Sequence, residues 1–320
     1  MPPRIVLPTG PSAAALAGHD PDAPVATLSG VAMGTEWRVR CALPKDADTG
    51  VLQDAIEARL GELIAQMSHW EPASDLCRFN ALPAGGWADL SPDFAAVVDL
   101  SLRVAHAGGG AFDPAIGRLV DLWGYGPPGP QDAPDAAAID AARAASGWQR
   151  LRRDPMGRRL RQPGGLSLDL SGVAKGYAVD AVADLLAGRG VRHCLVEIGG
   201  ELAGRGMRPD GDPWWVELEP AAGLPPLRLA LHEYAVATSG DYVRGGHSID
   251  PRTGRPATNG VVAVSVVAPT AMLADALATA IAVGYPDMGT FDVAARIVVR
   301  DGSGLREVLT PRFAAMLIPS

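Results

Sequence analysis

The spacing of apolar side chains changes along the chain, and the change predicts where strands and helices lie. Residues 34–43 (GTEWRVRCAL) alternate between polar and apolar positions, which is typical of a strand. Apolar side chains in residues 49–70 recur at helical spacing, so we expect a helix with Thr49 as its N-cap. A second helix is predicted after Ser91, and the glycines at 108–110 would end it.

The second half of the chain contains more strand patterns than helix patterns. Strands come in consecutive pairs and helices are fewer and longer, which predicts an α+β fold with antiparallel sheets packed with helices into a single unit. No GxGxxG or GxxxxGK[ST] motif follows a predicted strand, so neither of the two commonest nucleotide-binding loops is predicted. The predicted strands are 165–172, 191–200, 214–220, 226–240 and 260–268, and the predicted helices are 173–190 and a segment opened by Pro269.

Composition and charge narrow the possible functions. The chain has 320 residues, is 48% hydrophobic, and carries a net charge of -8 from 28 basic and 36 acidic residues. An acidic balance argues against a nucleic-acid partner, because phosphate neutralisation needs a basic surface. Three widely separated cysteines predict neither a disulfide framework nor a zinc site; they are Cys41, Cys77 and Cys194.

The first 26 residues differ from the rest. Prolines interrupt them, and they contain neither a continuous apolar core of signal-peptide length nor a cysteine for a lipid anchor. We therefore expect a poorly ordered segment over 1–26, a domain over 27–320 and a cytoplasmic location. No apolar run approaches the roughly 20 residues that a transmembrane helix needs.

A carboxylate and a hydroxyl interrupt the apolar segment 272–284 (MLADALATAIAVG). Asp275 and Thr279 are four residues apart, so a helix places them on one face. A buried carboxylate needs a cation or strong donors. One interpretation is a salt bridge or a cap to a neighbouring loop, and the other is a hard divalent cation such as Mg²⁺ or Ca²⁺.

Residues 168–180 (LDLSGVAKGYAVD) form a second candidate site. A strand would present Asp169, Gly172 would turn the chain, and the next helix would direct its N–H groups at phosphate oxygens. Lys175 in the first turn opposes the helix dipole, which an anion nearby would offset. The alternative is an ordinary strand, turn and helix with a solvated lysine.

Two further segments hold candidate chemistry. The motif DPRTG at 250–254 predicts a turn, and His247 just before it could exchange a proton near neutral pH or be structural. Ser239, expected in a tight turn, would suggest a serine hydrolase, but no GxSxG elbow is present. The glycines at 108–110 lie near three aromatic residues that could form a ring-binding wall or an ordinary core segment: Phe112, Trp123 and Tyr125.

Taken in order, these segments resemble one known family, the ApbE family of FAD:protein FMN transferases. The resemblance covers about residues 30–285 and rests on eight ordered blocks: MGTEWRV, MSHWEPASDLCRFN, GAFDPAIGRLVDLWGYGP, LDLSGVAKGYAVD, LVEIGGEL, ATSGDY, HSIDPRTGRP and ADALATAIAVG. It implies a fold similar to the T-fold. It also implies transfer of FMN from FAD to a Thr or Ser of an acceptor flavoprotein, with release of AMP and with Mg²⁺ as cofactor, Ca²⁺ or Mn²⁺ being alternatives.

The resemblance also implies roles for individual residues. His247 falls where the family has its catalytic histidine, and the metal would bind to the Gly172 carbonyl, Asp275 and Thr279. Ala278 stands where many members have an aspartate, which leaves one carboxylate fewer for the metal. The family often carries a signal peptide or lipobox and works outside the cytoplasmic membrane. The implied FAD contacts are Met33, Trp70, Ala111, Phe112, Asp113, Asp169, Lys175 and Ile249.

Two alternatives to the transferase remain open. The same residues could hydrolyse FAD to FMN and AMP with water as the nucleophile, or the chain could bind flavin without catalysis.

Overall fold

The computed structural model describes residues 3–218, 223–240, 248–285, 293–302 and 304–318. Within them the chain forms an α+β fold. No helix in these ranges is both long and apolar enough to cross a membrane. The helices are α1 (Thr49–Met67), α2 (Asp75–Ala81), α3 (Pro92–Ala107), α4 (Gly117–Leu122), α5 (Ala136–Ala145), α6 (Ala174–Gly188), α7 (Ala271–Gly284) and α8 (Pro311–Ala315), with a 3₁₀ turn at Trp148–Arg150.

The strands belong to four sheets. The largest has eight strands in the order β16-β15-β14-β11-β8-β7-β3-β2, and three smaller sheets have the orders β1-β10-β9, β4-β6-β5 and β12-β13. The strands are β1 (Arg4–Val6), β2 (Val25–Ala32), β3 (Thr35–Ala42), β4 (Trp87–Asp89), β5 (Arg152–Arg153), β6 (Arg159–Arg161), β7 (Cys194–Ile198), β8 (Glu201–Arg205), β9 (Trp214–Leu218), β10 (Leu227–Leu231), β11 (Ala235–Gly240), β12 (Ile249–Asp250), β13 (Arg255–Pro256), β14 (Val261–Ala268), β15 (Ala294–Asp301) and β16 (Gly304–Leu309).

The eight-stranded sheet is antiparallel throughout, and its central strands are covered on both faces, whereas the edge strand β2 is largely exposed. Successive side chains of a strand point to opposite faces, so Val266 joins the core beneath the helices, whereas Val267 joins a second core on the other face. Helices α1, α3, α6 and α7 form the first layer, and the sheet β1-β10-β9 with α8 forms the third.

The N-terminal segment, for which the sequence predicts little order, contributes strand β1. It pairs with β10 in parallel, the one parallel pairing among the described strands, and Val6 is fully buried in the second core. Glu307 accepts hydrogen bonds from Arg4 at 2.7 Å and from Arg296 at 2.8 Å, which ties β1 to the main sheet. Three residues paired with a strand more than 200 positions away leave no periodic signal in the sequence.

Most predicted elements are present, with two corrections. Helix α1 is capped by Asp48, whose side chain accepts from the N–H of Gly50 at 2.8 Å, and Thr49 is the first helical residue. Residues 165–172 contain no strand: they run as an extended segment in which the Leu166, Leu168 and Leu170 side chains are buried. Their alternating pattern reflects one buried face, which does not require a sheet partner.

Candidate functional site

The turn before α6 and the middle of α7 meet at a glycine. A Cβ atom placed on Gly172 would lie 3.0 Å from Oγ1 of Thr279 and 3.3 Å from the Phe112 ring. A side chain at this position would be tightly packed, and the absence of one in glycine lets the two segments approach without displacing either. The structure therefore brings together three residues that are more than 50 positions apart in the sequence.

Asp275 lies one turn before Thr279 on α7 and is 5% exposed. Its Oδ2 accepts the backbone N–H of Gly176 at 3.0 Å, and the N-cap residue of α6, Val173, provides no side-chain cap. Asp275 therefore caps α6 from α7, whereas the sequence had suggested a cap to a neighbouring loop. Burial raises its pKa, and the positive charge of Lys175 opposes this rise.

Glu201 is a buried acid that the sequence analysis did not single out. Its Oε1 lies 2.6 Å from Nζ of Lys175, and its side chain is 4% exposed. The buried Oε2 has no hydrogen-bond partner among the described residues. Burial and the nearby Asp275 raise the pKa of Glu201 to about 8, although Lys175 opposes this. In the sequence, Glu201 could have been noticed because it follows Gly199 and Gly200 within the block LVEIGGEL.

Asp275, Thr279 and Gly172 fit a hard divalent cation. A carboxylate, a hydroxyl and a backbone carbonyl offer the oxygen ligands that Mg²⁺ prefers. Two carboxylates, Asp275 and Glu201, lie near a single cation, Lys175, so the group carries an excess of negative charge when its acids are ionised. In the described ranges no cluster of three or more His, Cys, Asp or Glu side chains forms a metal site, so the fit depends on mixed oxygen donors.

Asp169 lies on the wall of a separate cavity of about 300 Å³. Its Oδ1 accepts the N–H of Ser171 at 2.7 Å, and its Oδ2 lies 3.8 Å from Nδ1 of His69. Asp121 lines the same cavity, and burial together with the charge of Asp169 raises its pKa. The cavity offers acceptor oxygens and an imidazole, a set suited to hydroxyl or amino groups of a ligand.

The segment after the triple glycine contains Ala111, Phe112 and Asp113, all buried. The Asp113 carboxylate accepts the N–H of Ala115 at 2.8 Å and the N–H of Trp148 at 3.1 Å. Burial raises the pKa of Asp113 to about 6, against these two hydrogen bonds. Asp113 therefore fixes the segment after the triple glycine through these two hydrogen bonds, in addition to any contact with FAD.

The DPRTG turn forms as predicted and packs against α4 and α5. The Asp250 carbonyl accepts the N–H of Gly254 at 2.7 Å, and Gly254 has a φ of 70°. Trp123 donates its indole N–H to the Gly254 carbonyl at 2.9 Å, so this ring has a structural contact in addition to any role beside a ligand. Ile249 is buried in β12, and His247 lies outside the described residues.

Ser239 does not lie in a tight turn. It is part of β11, where it pairs with Val264 of β14. The prediction of a turn at this position was wrong because the small residues that suggested it fit equally well in a strand between two others.

Met33 is half-buried against the core beneath the helices, whereas Trp70 is exposed. Met33 and Gly34 form the two-residue connection between β2 and β3, with φ values of 53° and 73°. Positive φ at both positions is the requirement of a type I′ turn, and Met33 is the one non-glycine residue in the described ranges with positive φ. Trp70 is 59% exposed, with its ring centroid 5.3 Å from that of His69.

The chain is similar to known proteins of one family. The model of the ApbE family matches residues 33–294. Two curated relatives named FAD:protein FMN transferase are each 35% identical: the protein of Klebsiella pneumoniae (93% of this chain, 92% of the relative) and that of Vibrio cholerae (94% and 96%).

Known structures show the same fold. The flavinyl transferase ApbE of Pseudomonas stutzeri, in its apo form, superposes with a TM-score of 0.87 at 36% identity over 93% of this chain and 98% of that chain. The flavin transferase ApbE of Vibrio cholerae superposes with a TM-score of 0.84 at 34% identity over 91% and 99%. The family expected from the sequence is confirmed, and this chain belongs to the ApbE family.

Proposed function

We propose that this chain is a FAD:protein FMN transferase that moves FMN from FAD to a Thr or Ser hydroxyl of an acceptor flavoprotein and releases AMP. The observation that carries the proposal is the convergence of Gly172, Asp275 and Thr279 beside the N-terminus of α6. The names of the curated relatives support the same reaction.

Gly172, Asp275 and Thr279 would hold Mg²⁺ through a carbonyl, a carboxylate and a hydroxyl oxygen, with Ca²⁺ or Mn²⁺ as alternatives. The ion would supply charge neutralisation at the diphosphate of FAD. The loss of a carboxylate at Ala278, which is fully buried, leaves Asp275 as the one carboxylate of this set. Glu201, paired with Lys175, would lie nearby without being one of the three ligands.

The protein groups have separate tasks in the transfer. Lys175 would bind phosphate oxygens, and the positive end of the α6 dipole would add to the attraction, because a helix N-terminus favours anions. His247 would accept the proton of the acceptor's hydroxyl group. At the same time the hydroxyl oxygen would bond to the FMN phosphorus, and the phosphoanhydride bond to AMP would break. Met33, Trp70, Phe112 and Ile249 would contact the rings of FAD.

The test is incubation of the protein with FAD, MgCl₂ and candidate acceptor proteins, followed by intact-mass measurement of each acceptor. We expect one acceptor to gain the mass of FMN less one water, and AMP to appear only when that acceptor is present. An acceptor variant with Val in place of the modified Thr is the control. AMP release at the same rate without acceptor would favour the FAD pyrophosphatase, and FAD that stays intact would favour a flavin-binding protein.

A further inference from the structure

Three arginines line one cavity on the small sheet β4-β6-β5. The cavity has a volume of about 560 Å³, and Arg150, Arg152 and Arg161 face it together with Gly85 and Gln162. None of its lining residues in the described part of the chain is acidic. Residues 150–161 contain six arginines in a chain whose net charge is -8, so this part of the surface is locally basic.

The register of the sheet places like charges opposite each other. Arg152 of β5 is the direct cross-strand partner of Arg161 of β6, and on the other side Arg161 is paired with Trp87 of β4. Directly opposed like charges destabilise an antiparallel pair. Arg159, two residues away on the same strand and also exposed, is instead opposite Asp89.

Two of the three guanidinium groups are held in place by backbone carbonyls. Arg150 donates to the carbonyl of Gly164 at 3.0 Å, and Arg152 donates to that of Leu151 at 3.0 Å. The fully buried Gln162 fixes the adjoining loop by accepting the N–H of Gly164 at 3.1 Å. Because a guanidinium carries five N–H donors, both arginines retain donors for a ligand.

We propose that this cavity binds a phosphate-bearing anion with at least two negative charges, such as a free diphosphate or the phosphates of a lipid surface. Arginine matches phosphate oxygens through paired hydrogen bonds, and a concave site concentrates the positive field. An anion seated between Arg152 and Arg161 would convert their repulsion into attraction. None of the residues proposed to bind FAD or the metal lines this cavity, so the inference is independent of the proposed function.

The first experiment measures binding of inorganic pyrophosphate to the full chain by calorimetry and by thermal shift, in buffer with EDTA. We expect Arg161→Gln to weaken binding by about tenfold or more, the factor for loss of a hydrogen bond to a charged group. The matched control is Arg159→Gln, which removes the same charge from the same strand and should change the affinity by less than about threefold. Without pyrophosphate, Arg161→Gln should unfold at the same temperature as the native sequence or higher.

A second arm distinguishes the sources of phosphate by cosedimentation with phosphatidylcholine vesicles, with and without phosphatidylglycerol. Binding of pyrophosphate in solution assigns the cavity to a free anion, and binding restricted to phosphatidylglycerol vesicles assigns it to a lipid surface. Either result supports the inference if the Arg161→Gln variant loses the binding and the Arg159→Gln variant retains it. Equal weakening by both variants, or no binding of either probe, would overturn it.

Discussion

Asp275 combines two tasks at one buried position. Its Oδ2 caps α6 through Gly176, and its carboxylate is proposed to bind the metal. A second buried aspartate at the same helix interface, Asp180, caps α7 through the N–H groups of Ala271 and Met272, both at 2.9 Å. Substituting Asp275 and Asp180 in turn therefore separates the effect of losing a helix cap from the effect of losing a metal ligand.

Asp275→Asn should weaken Mn²⁺ or Mg²⁺ binding by at least about tenfold, because an amide oxygen carries no charge to neutralise the ion. Asp180→Asn should lower the free energy of unfolding by about 1 kcal/mol through the weaker cap, and it should leave the metal affinity unchanged. Calorimetric metal titration and urea unfolding measure the two effects. Unchanged metal affinity in Asp275→Asn would remove that residue from the metal site.

Asp113 makes the stability of the ligand-free protein depend on pH. Its pKa is raised to about 6, so between about pH 4 and 6 the folded state holds a proton that the unfolded state has lost. The contribution of Asp113 to the free energy of unfolding should therefore fall by about 2–3 kcal/mol as pH rises through this range and should stay constant above it. In Asp113→Asn this contribution should vanish, which urea unfolding at pH 4, 5, 6 and 7 will measure. An identical pH profile in both proteins would contradict it.

At the scale of elements, the crossing of α6 and α7 determines the geometry of the site. A Cβ atom on Gly176 would lie 2.3 Å from the Ala271 carbonyl oxygen and 2.8 Å from Cβ of Asp275. The helices therefore approach each other closely at the point where Asp275 caps α6. A larger residue there would move the proposed metal ligands away from the Gly172 turn.

Gly176→Ala should reduce the free energy of unfolding by about 1–3 kcal/mol and weaken metal binding, since the helices must separate. Gly188 ends the same helix, and a Cβ atom placed on it would meet no atom within 4 Å, so Gly188→Ala is the matched control. It should be neutral or stabilise by up to about 1 kcal/mol. Equal stabilities of the two variants would show that the crossing tolerates a side chain.

The sequence predicts these helices better than it predicts their contacts. Periodic apolar positions and end signals place α3 and α6 correctly, because the information lies within each segment. Asp275 and Thr279 could be picked out because they interrupt an apolar pattern. The pairing of Glu201 with Lys175, and the cap that Asp275 provides to Gly176, depend on how distant segments pack, so no local pattern contains them.

At the scale of the whole molecule, the main sheet separates two hydrophobic cores. The candidate metal site lies on the helical side, whereas Phe313 of α8 is fully buried on the opposite side with Val6 and Trp214. Strand β14 is apolar at nearly every position because both of its faces are covered. The alternating pattern of a half-exposed strand is therefore missing there, although its β-branched residues still predict a strand.

Phe313→Ala should lower the free energy of unfolding by about 3–5 kcal/mol, the usual cost of deleting a buried aromatic side chain. The affinity of the folded protein for FAD should be unchanged, because the proposed metal ligands on α7 lie on the other side of the main sheet. Thermal unfolding and FAD titration below the unfolding temperature measure the two quantities. A large loss of FAD affinity in folded protein would mean that the two cores are coupled.

The positive φ of Met33, together with the flavin contact proposed for it, implies a conflict between stability and activity. A left-handed backbone at this hairpin position favours Asn or Gly, so methionine costs about 1 kcal/mol there. Met33→Asn should raise the melting temperature and lower the affinity for flavin, as thermal unfolding and FAD titration would show. Selection for thermal stability alone would then favour Met33→Asn, although this substitution is expected to reduce turnover. The trade-off between stability and activity would lie in the turn between β2 and β3.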